Sequence, residues 1–284
     1  MTMPESQRLN VEEVVNKIRD LPVLPEVARQ LLVSLNDDTT DLHQINEKIS
    51  LDQSITSKIL RLANSSHFGA NSRVVTIQQA TALLGVNNVK NVIRMTLLSG
   101  HLPVPVCPGF DFKAYWAHGI ATAICAELIS RTLHMKHDFA FTGGLLHDVG
   151  RLVLATYFPA EYAEAIRFSR ESDCTLLEAE RAILHIDHAE AGYLLAQHWH
   201  FADAVQDAIR GHHTPDINGL NTLALVVHVA NVIVHGLDLA DDENDQIPLL
   251  STHAWDTLGL NDNDCKRIFL ETEMRFEAMT QIFT

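Results

Sequence analysis

Almost everywhere along this chain, apolar residues return at every third or fourth position. Val11, Val14, Val15 and Ile18 form one such set, and Val27, Leu31, Leu32 and Leu35 the next. Ile55, Ile59 and Leu62 follow, then Ile77, Ala80, Leu83 and Leu84. Each set is the buried stripe of an α-helix, whereas the period-two alternation of a half-buried strand is almost absent, so the chain is predicted to be all-α. Helix punctuation agrees. Thr76 precedes a run that ends at Leu84-Gly85, and Asp187 followed by Glu190 has capping-box spacing ahead of the next helix. Pro22, Pro25, Pro103, Pro105 and Pro108 do not fit helix interiors, so His101 to Gly109 reads as an extended connector between two helical halves. Ser251 to Leu258 and Asp262 to Phe283 are again helical, with Ile268, Phe269, Met274, Phe276 and Met279 on their apolar sides. These last helices are expected either to cover the core or to pair with another chain as a homodimer.

With 284 residues, 46% hydrophobic and 20% charged, the chain has the makeup of one large globular domain or two ordinary ones. Its 36 acidic against 21 basic residues give a formal charge of −15, which argues against nucleic-acid partners and anionic membrane surfaces, since both need clustered Lys and Arg. The start MTMPESQRLN has no basic region followed by an apolar one, and apolar runs such as Leu223 to Val229 are too short to span a bilayer. A cytoplasmic protein is expected. Cys107, Cys125, Cys174 and Cys265 are widely spaced and form no C-x-x-C pair, so they read as idle thiols in a reducing compartment. The acidic run Asp241-Asp242-Glu243-Asn244-Asp245 reads as a solvated loop.

Chemistry is concentrated in an ordered series: His118, His147-Asp148, His188 and His212-His213. Imidazoles and a carboxylate are ligands for borderline divalent metals, so the series is a candidate metal site on helices. His118 lies in the helical run Phe112 to Leu133, where a lone histidine reads equally as a core residue. His147 and Asp148 fall at the end of a helix predicted over Phe139 to Val149. Adjacent helical side chains diverge by about 100°, so both reach one ion only if it lies between them. Gly143 and Gly144 allow another helix to approach, and Gly150 allows this one to stop. His188 opens a helix after Asp187, and the positive helix start is expected to keep its imidazole neutral. His185, three residues earlier, reads as an outer or surface position. His212 and His213 follow Gly211, where one ring can turn inward while its neighbour points elsewhere. His198, His200, His228, His235 and His253 fit no such pattern and read as structural or surface.

Several separate segments share a further likeness. They are Leu21-Pro22-Val23-Leu24-Pro25, Ile49-Ser50-Leu51-Asp52, Leu60-Arg61-Leu62-Ala63-Asn64-Ser65 with Phe68-Gly69, and Thr76-Ile77 with Ala82-Leu83-Leu84-Gly85. Farther on come Gly144-Leu145-Leu146-His147-Asp148-Val149-Gly150, Asp187-His188-Ala189-Glu190, Ala208-Ile209 with His212-His213, and Ala230-Asn231. In this order the chain resembles the HDOD family, signalling relatives of HD-domain phosphohydrolases, over roughly residues 10 to 235.

The resemblance implies an HD-like helical core with an N-terminal helical bundle: a flexible start over 1–9, a bundle of about five helices over 10–100, the connector at 101–108, and the HD-like part with its C-terminal helices over 109–284. It also implies metal positions at His118, His147, Asp148, His188, His212, His213 and Asn231. One or two ions of iron, manganese, zinc or nickel, or a vestigial site with none, are compatible with that set. Asn231 stands where active relatives have Asp, so the half of the site containing His118, His147 and Asn231 is expected to be weakened. The half containing Asp148, His188 and the His212-His213 pair should hold an ion better. Arg151 takes the place of the Lys of the HD-GYP branch, and no Gly-Tyr-Pro follows His213, since the sequence there is Thr214-Pro215-Asp216-Ile217-Asn218-Gly219-Leu220. The implied function is regulation through protein–protein contacts with a partner on a separate polypeptide. The alternative is a metal-dependent phosphohydrolase acting on a nucleotide or other phosphoester, with Asp148 holding the ion and Arg151 steadying phosphoryl charge.

Overall fold

A computed structural model describes residues 11–21, 23–35, 52–65, 68, 73–135, 139–217, 219–242 and 246–283. The predicted flexible start, Ile49 to Leu51, Ser66, Gly69 and part of the acidic run lie outside the described residues. Within them every regular element is a helix. The order is α1 (Val11–Arg19), α2 (Glu26–Leu35), α3 (Gln53–Ala63), α4 (Ile77–Leu84), α5 (Val86–Ser99), α6 (Phe112–Thr132), α7 (Ala140–Leu146), α8 (Val149–Tyr157), α9 (Pro159–Ser172), α10 (Leu176–Ile183), α11 (His188–His198), α12 (Asp203–Gly211), α13 (Thr222–Leu237), α14 (Thr252–Leu258) and α15 (Asp262–Phe283).

The chain forms two compact units, each discontinuous in sequence. One contains Leu24–Leu102 and the end of α15 from Leu270. There α3, α4 and α5 pack together, and α2 lies on α5. Asn64 ends α3 by turning its side chain onto the backbone of Val74, accepting from the Val74 N–H and donating to its carbonyl at 2.8 Å each. Thr76 caps α4 through the Gln79 amide, and Gly85 ends it at a φ of 78°.

The other unit contains α1 and Pro103–Phe269. The sequence predicts a continuous N-terminal bundle from residue 10, yet α1 packs on α11 in this second unit. His198 on α11 reaches the Leu21 carbonyl at 2.7 Å. No helix is formed from Pro103 to Phe110, and Asp111 then caps α6 by accepting from the Lys113 and Ala114 amides. α6 is the axis of the unit and is buried on nearly every side from Ala114 to Ser130. Such a helix carries little amphipathic signal because its neighbours α7 and α13 cover it from more than one direction.

Two close approaches bring the candidate ligands together. A Cβ on Gly144 would lie 2.7 Å from both the Ala123 Cα and the Thr122 carbonyl, so α7 can cross α6 at this distance only with glycine there. A Cβ on Gly150 would fall 1.9 Å from the His188 carbonyl oxygen, where α8 crosses α11. The predicted single helix to Val149, stopped by Gly150, is therefore corrected. α7 ends at Leu146, His147 and Asp148 form the joint, and Gly150 lies inside α8 as the contact point with α11.

Candidate metal centre

All the predicted metal positions meet in the second unit. α6 carries His118, the α7–α8 joint carries His147 and Asp148, α11 opens with His188, α12 ends at His212 and His213, and α13 carries Asn231. All are buried except the half-buried His213. Both members of the His212-His213 pair turn toward His188, so neither points elsewhere.

Asp148 is the hub. Its Oδ1 lies 3.3 Å from the His188 Nε2, 3.4 Å from the His212 Nε2 and 3.6 Å from the His147 Nε2. The His188 Nε2 is also 3.3 Å from that of His212 and 2.9 Å from that of His213. With metal–nitrogen bonds of about 2.1 Å, neighbouring donors are about 3.0 Å apart in an octahedron and about 3.4 Å apart in a tetrahedron. The Asp148, His188, His212 and His213 set therefore has the edge lengths of a coordination shell, and these four residues can hold a divalent ion.

Second-layer contacts orient the rings. The Nδ1–H groups of His147 and His212 donate to the Gly144 and Ile209 carbonyls, each at 2.7 Å, which leaves each Nε2 as a lone-pair donor. The His188 Nδ1 instead faces the Glu180 carboxylate at 2.6 Å. Glu180 is fully buried and also accepts from the His188 backbone amide at 2.8 Å and from the Tyr162 hydroxyl at 3.1 Å. The sequence reading missed Glu180. Its signal was a glutamate one helical turn from both Leu176 and Leu184, on an apolar stripe.

Electrostatics singles out His188. Burial opposes charge on His188, but the Glu180 and Asp148 carboxylates outweigh it and raise the imidazole pKa to about 10. The expectation that the helix start keeps His188 neutral fails in the metal-free protein, because a partial dipole charge is weaker than two buried carboxylates. Burial also works against ionised Asp148, yet His147, His188 and His212 hold it well below the usual carboxylate range. Burial lowers His147 to about 4 and, with His235 and His147 nearby, keeps His118 well below the usual imidazole range.

In the other half, the His118 Nε2 is 3.2 Å from the His147 Nε2 and 2.8 Å from the Asn231 Oδ1. A neutral His118 donates its Nε2–H to that amide oxygen; with the amide reversed, the Asn231 NH2 donates to the Nε2 lone pair. Either arrangement pairs the two side chains, at a distance that neighbouring ligands of one ion would also have. His235, read from the sequence as structural or surface, packs against His118 with ring centroids 4.4 Å apart and the rings tilted by 41°. The signal was its spacing, one helical turn beyond Asn231. The exposed His185 stays outside the cluster, whereas the buried His228 braces it by donating from Nδ1 to the His212 carbonyl at 2.7 Å.

Arg151 donates from Nη1 to the Asp148 Oδ2 at 3.1 Å, and its guanidinium lies 5.9 Å from the Phe110 ring centre. A cavity of about 490 Å³ opens beside it, lined also by Phe110, Ile166, Ser169, Arg170 and Asp173. None of the candidate ligands lines this cavity. No described helix is long and apolar enough to cross a membrane.

Comparison with known proteins agrees with this architecture. An uncharacterized protein of Treponema pallidum is 25% identical over 241 residues, covering 83% of this chain and 46% of the relative, so the chain spans less than half of that protein's length. A crystal structure of an HDOD domain protein of unknown function from Geobacter sulfurreducens superposes with a TM-score of 0.78 at 22% identity, covering 96% of this chain and 98% of that one. That of a candidate phosphohydrolase from Shewanella amazonensis gives 0.73 at 25% identity, covering 95% and 97%. The HDOD domain model matches residues 21–215, more than half of the chain, and with the helical fold and the histidine–aspartate cluster in place the chain belongs to the HDOD family.

Proposed function

We propose that this chain is a regulatory HDOD protein that holds one divalent ion at Asp148, His188, His212 and His213 and acts through contacts with a protein partner on a separate polypeptide. The observation that carries this reading is Asn231 at 2.8 Å from His118, a neutral amide in the place of a terminal carboxylate. The second metal position thereby lacks one negative charge and is the weaker of the two. The remaining ion would supply positive charge and cross-link three elements, namely the start of α8, the start of α11 and the end of α12. Burial of the ligands and the separation of the Arg151 cavity from them fit a structural role better than substrate turnover.

A second reading is hydrolysis of a phosphoester. It is favoured by the His118, His147 and Asp148 donor atoms, which still converge, and by the likeness to the Shewanella candidate phosphohydrolase. In that reading Asp148 holds the ion and Arg151 steadies charge on phosphoryl oxygens. Metal analysis of protein purified without chelator distinguishes the two, combined with Asn231→Asp. The expected result is one ion per chain in the wild type, a second ion after Asn231→Asp, and no wild-type turnover of phosphomonoesters, nucleotides or cyclic dinucleotides with added manganese or iron. Wild-type turnover abolished by Asp148→Ala overturns the regulatory reading.

A further inference from the structure

We propose that Glu180, Tyr162 and Arg151 are positioning residues of the metal centre, whose hydrogen bonds hold Asp148 and His188 in ligating posture. The inference rests on the metal reading above and goes beyond it by assigning the outer support. The support can be followed atom by atom. The His188 Nδ1–H donates to the Glu180 Oε2, and the Tyr162 hydroxyl donates to the Glu180 Oε1. The Arg151 charge acts on the Tyr162 hydroxyl electrostatically. Arg151 donates to the Asp148 Oδ2, and the other Asp148 oxygen faces the His188 Nε2 at 3.3 Å.

Each carboxylate is thus divided between two tasks. Asp148 gives one oxygen to the imidazoles and one to Arg151, which fixes it as a one-oxygen ligand. Glu180 gives both oxygens to the support, and a buried carboxylate persists only when so compensated. A carboxylate behind a ligating imidazole fixes the ring's orientation and makes its far nitrogen a stronger donor. Because its side-chain hydrogen bond goes to Asp148, Arg151 serves here as a brace for that carboxylate, a different task from gripping a phosphate. Tyr162 is the joint, fully buried and set against Phe110 with ring centroids 6.1 Å apart.

The test titrates metal-stripped full-length protein with Zn²⁺ and Co²⁺, comparing wild type, Glu180→Gln, Tyr162→Phe and Arg151→Lys. Glu180→Gln keeps an acceptor for the His188 Nδ1–H but removes the charge, so Zn²⁺ affinity should fall about 10- to 100-fold and the visible Co²⁺ spectrum should shift. Tyr162→Phe and Arg151→Lys should each weaken affinity several-fold, since the first removes a donor to Glu180 and the second replaces the planar guanidinium that donates to Asp148 by a point charge. Wild-type affinity and Co²⁺ spectra in all folded variants overturn the positioning role while leaving the metal reading intact. A lower melting temperature of the metal-free variants with unchanged affinity overturns it equally. A wild type that binds neither ion fails the metal reading itself. Should Glu180→Gln not fold, Tyr162→Phe and Arg151→Lys decide.

Discussion

A single atom separates Asn231 from aspartate, and it changes the chemistry of a whole half-site. An aspartate there would repel no lone pair of His118 once a cation lay between them, whereas the amide satisfies His118 directly at 2.8 Å. At His188 the residue-scale consequence concerns a proton. With a folded pKa of about 10 the metal-free imidazole is charged at neutral pH, so metal must displace close to one proton. A pKa raised above the ordinary histidine value of about 6.5 means that this group's stabilisation of the metal-free fold is complete below that pH and is lost as pH rises through about 10. Metal affinity moves the opposite way, strengthening up to tenfold per pH unit over that window. Calorimetry of Zn²⁺ binding at pH 7 in two buffers of different ionisation enthalpy should return close to one proton released. A value near zero contradicts a charged His188. The histidines themselves were legible because they recur in a recognisable order, while Glu180 was not, since it shares a short helix with Glu178 and only burial tells the two acids apart.

At the scale of elements, the site depends on how closely α8 can approach α11. Gly150 is the contact, with the His188 carbonyl 1.9 Å from where a Cβ would lie, and that obstacle is backbone, which cannot rotate away. Gly150→Ala should therefore destabilise the protein by about 3 kcal/mol or more and displace His188 from Asp148. Gly236, near the end of α13, is the matched control. A Cβ there meets nothing within 4 Å, so Gly236→Ala should be neutral or stabilising by up to about 1 kcal/mol. Urea unfolding of both variants checks the pair, and equal losses would remove the argument from close approach. Sequence periodicity located the helices but not this crossing. It assigned Gly150 to a helix end, because glycine serves both as a stop and as a gap for a neighbour, and only the partner helix tells them apart.

Across the whole molecule, the all-helical class was readable from the period of the apolar residues, whereas the division into units was not. α1 has an ordinary amphipathic stripe, and nothing in it says that it packs on α11, far along the chain, instead of on the helices that follow it. That division has a measurable consequence. Every candidate ligand lies between His118 and Asn231, all in the unit that contains Pro103–Phe269. An ion that binds only the folded form stabilises it by about 2.7 kcal/mol when free metal is at 100 times its dissociation constant. Chelation removes that increment only from structure that must open for the ion to leave. Hydrogen exchange before and after chelation should thus show protection falling in α8, α11, α12 and the adjoining turns of α6 and α13. Amides of α3, α4 and α5 should keep their rates. A loss spread evenly over both units would mean that they unfold as one and that the ion supports the whole chain; no change anywhere would mean that the four-ligand set holds no ion that matters to the fold.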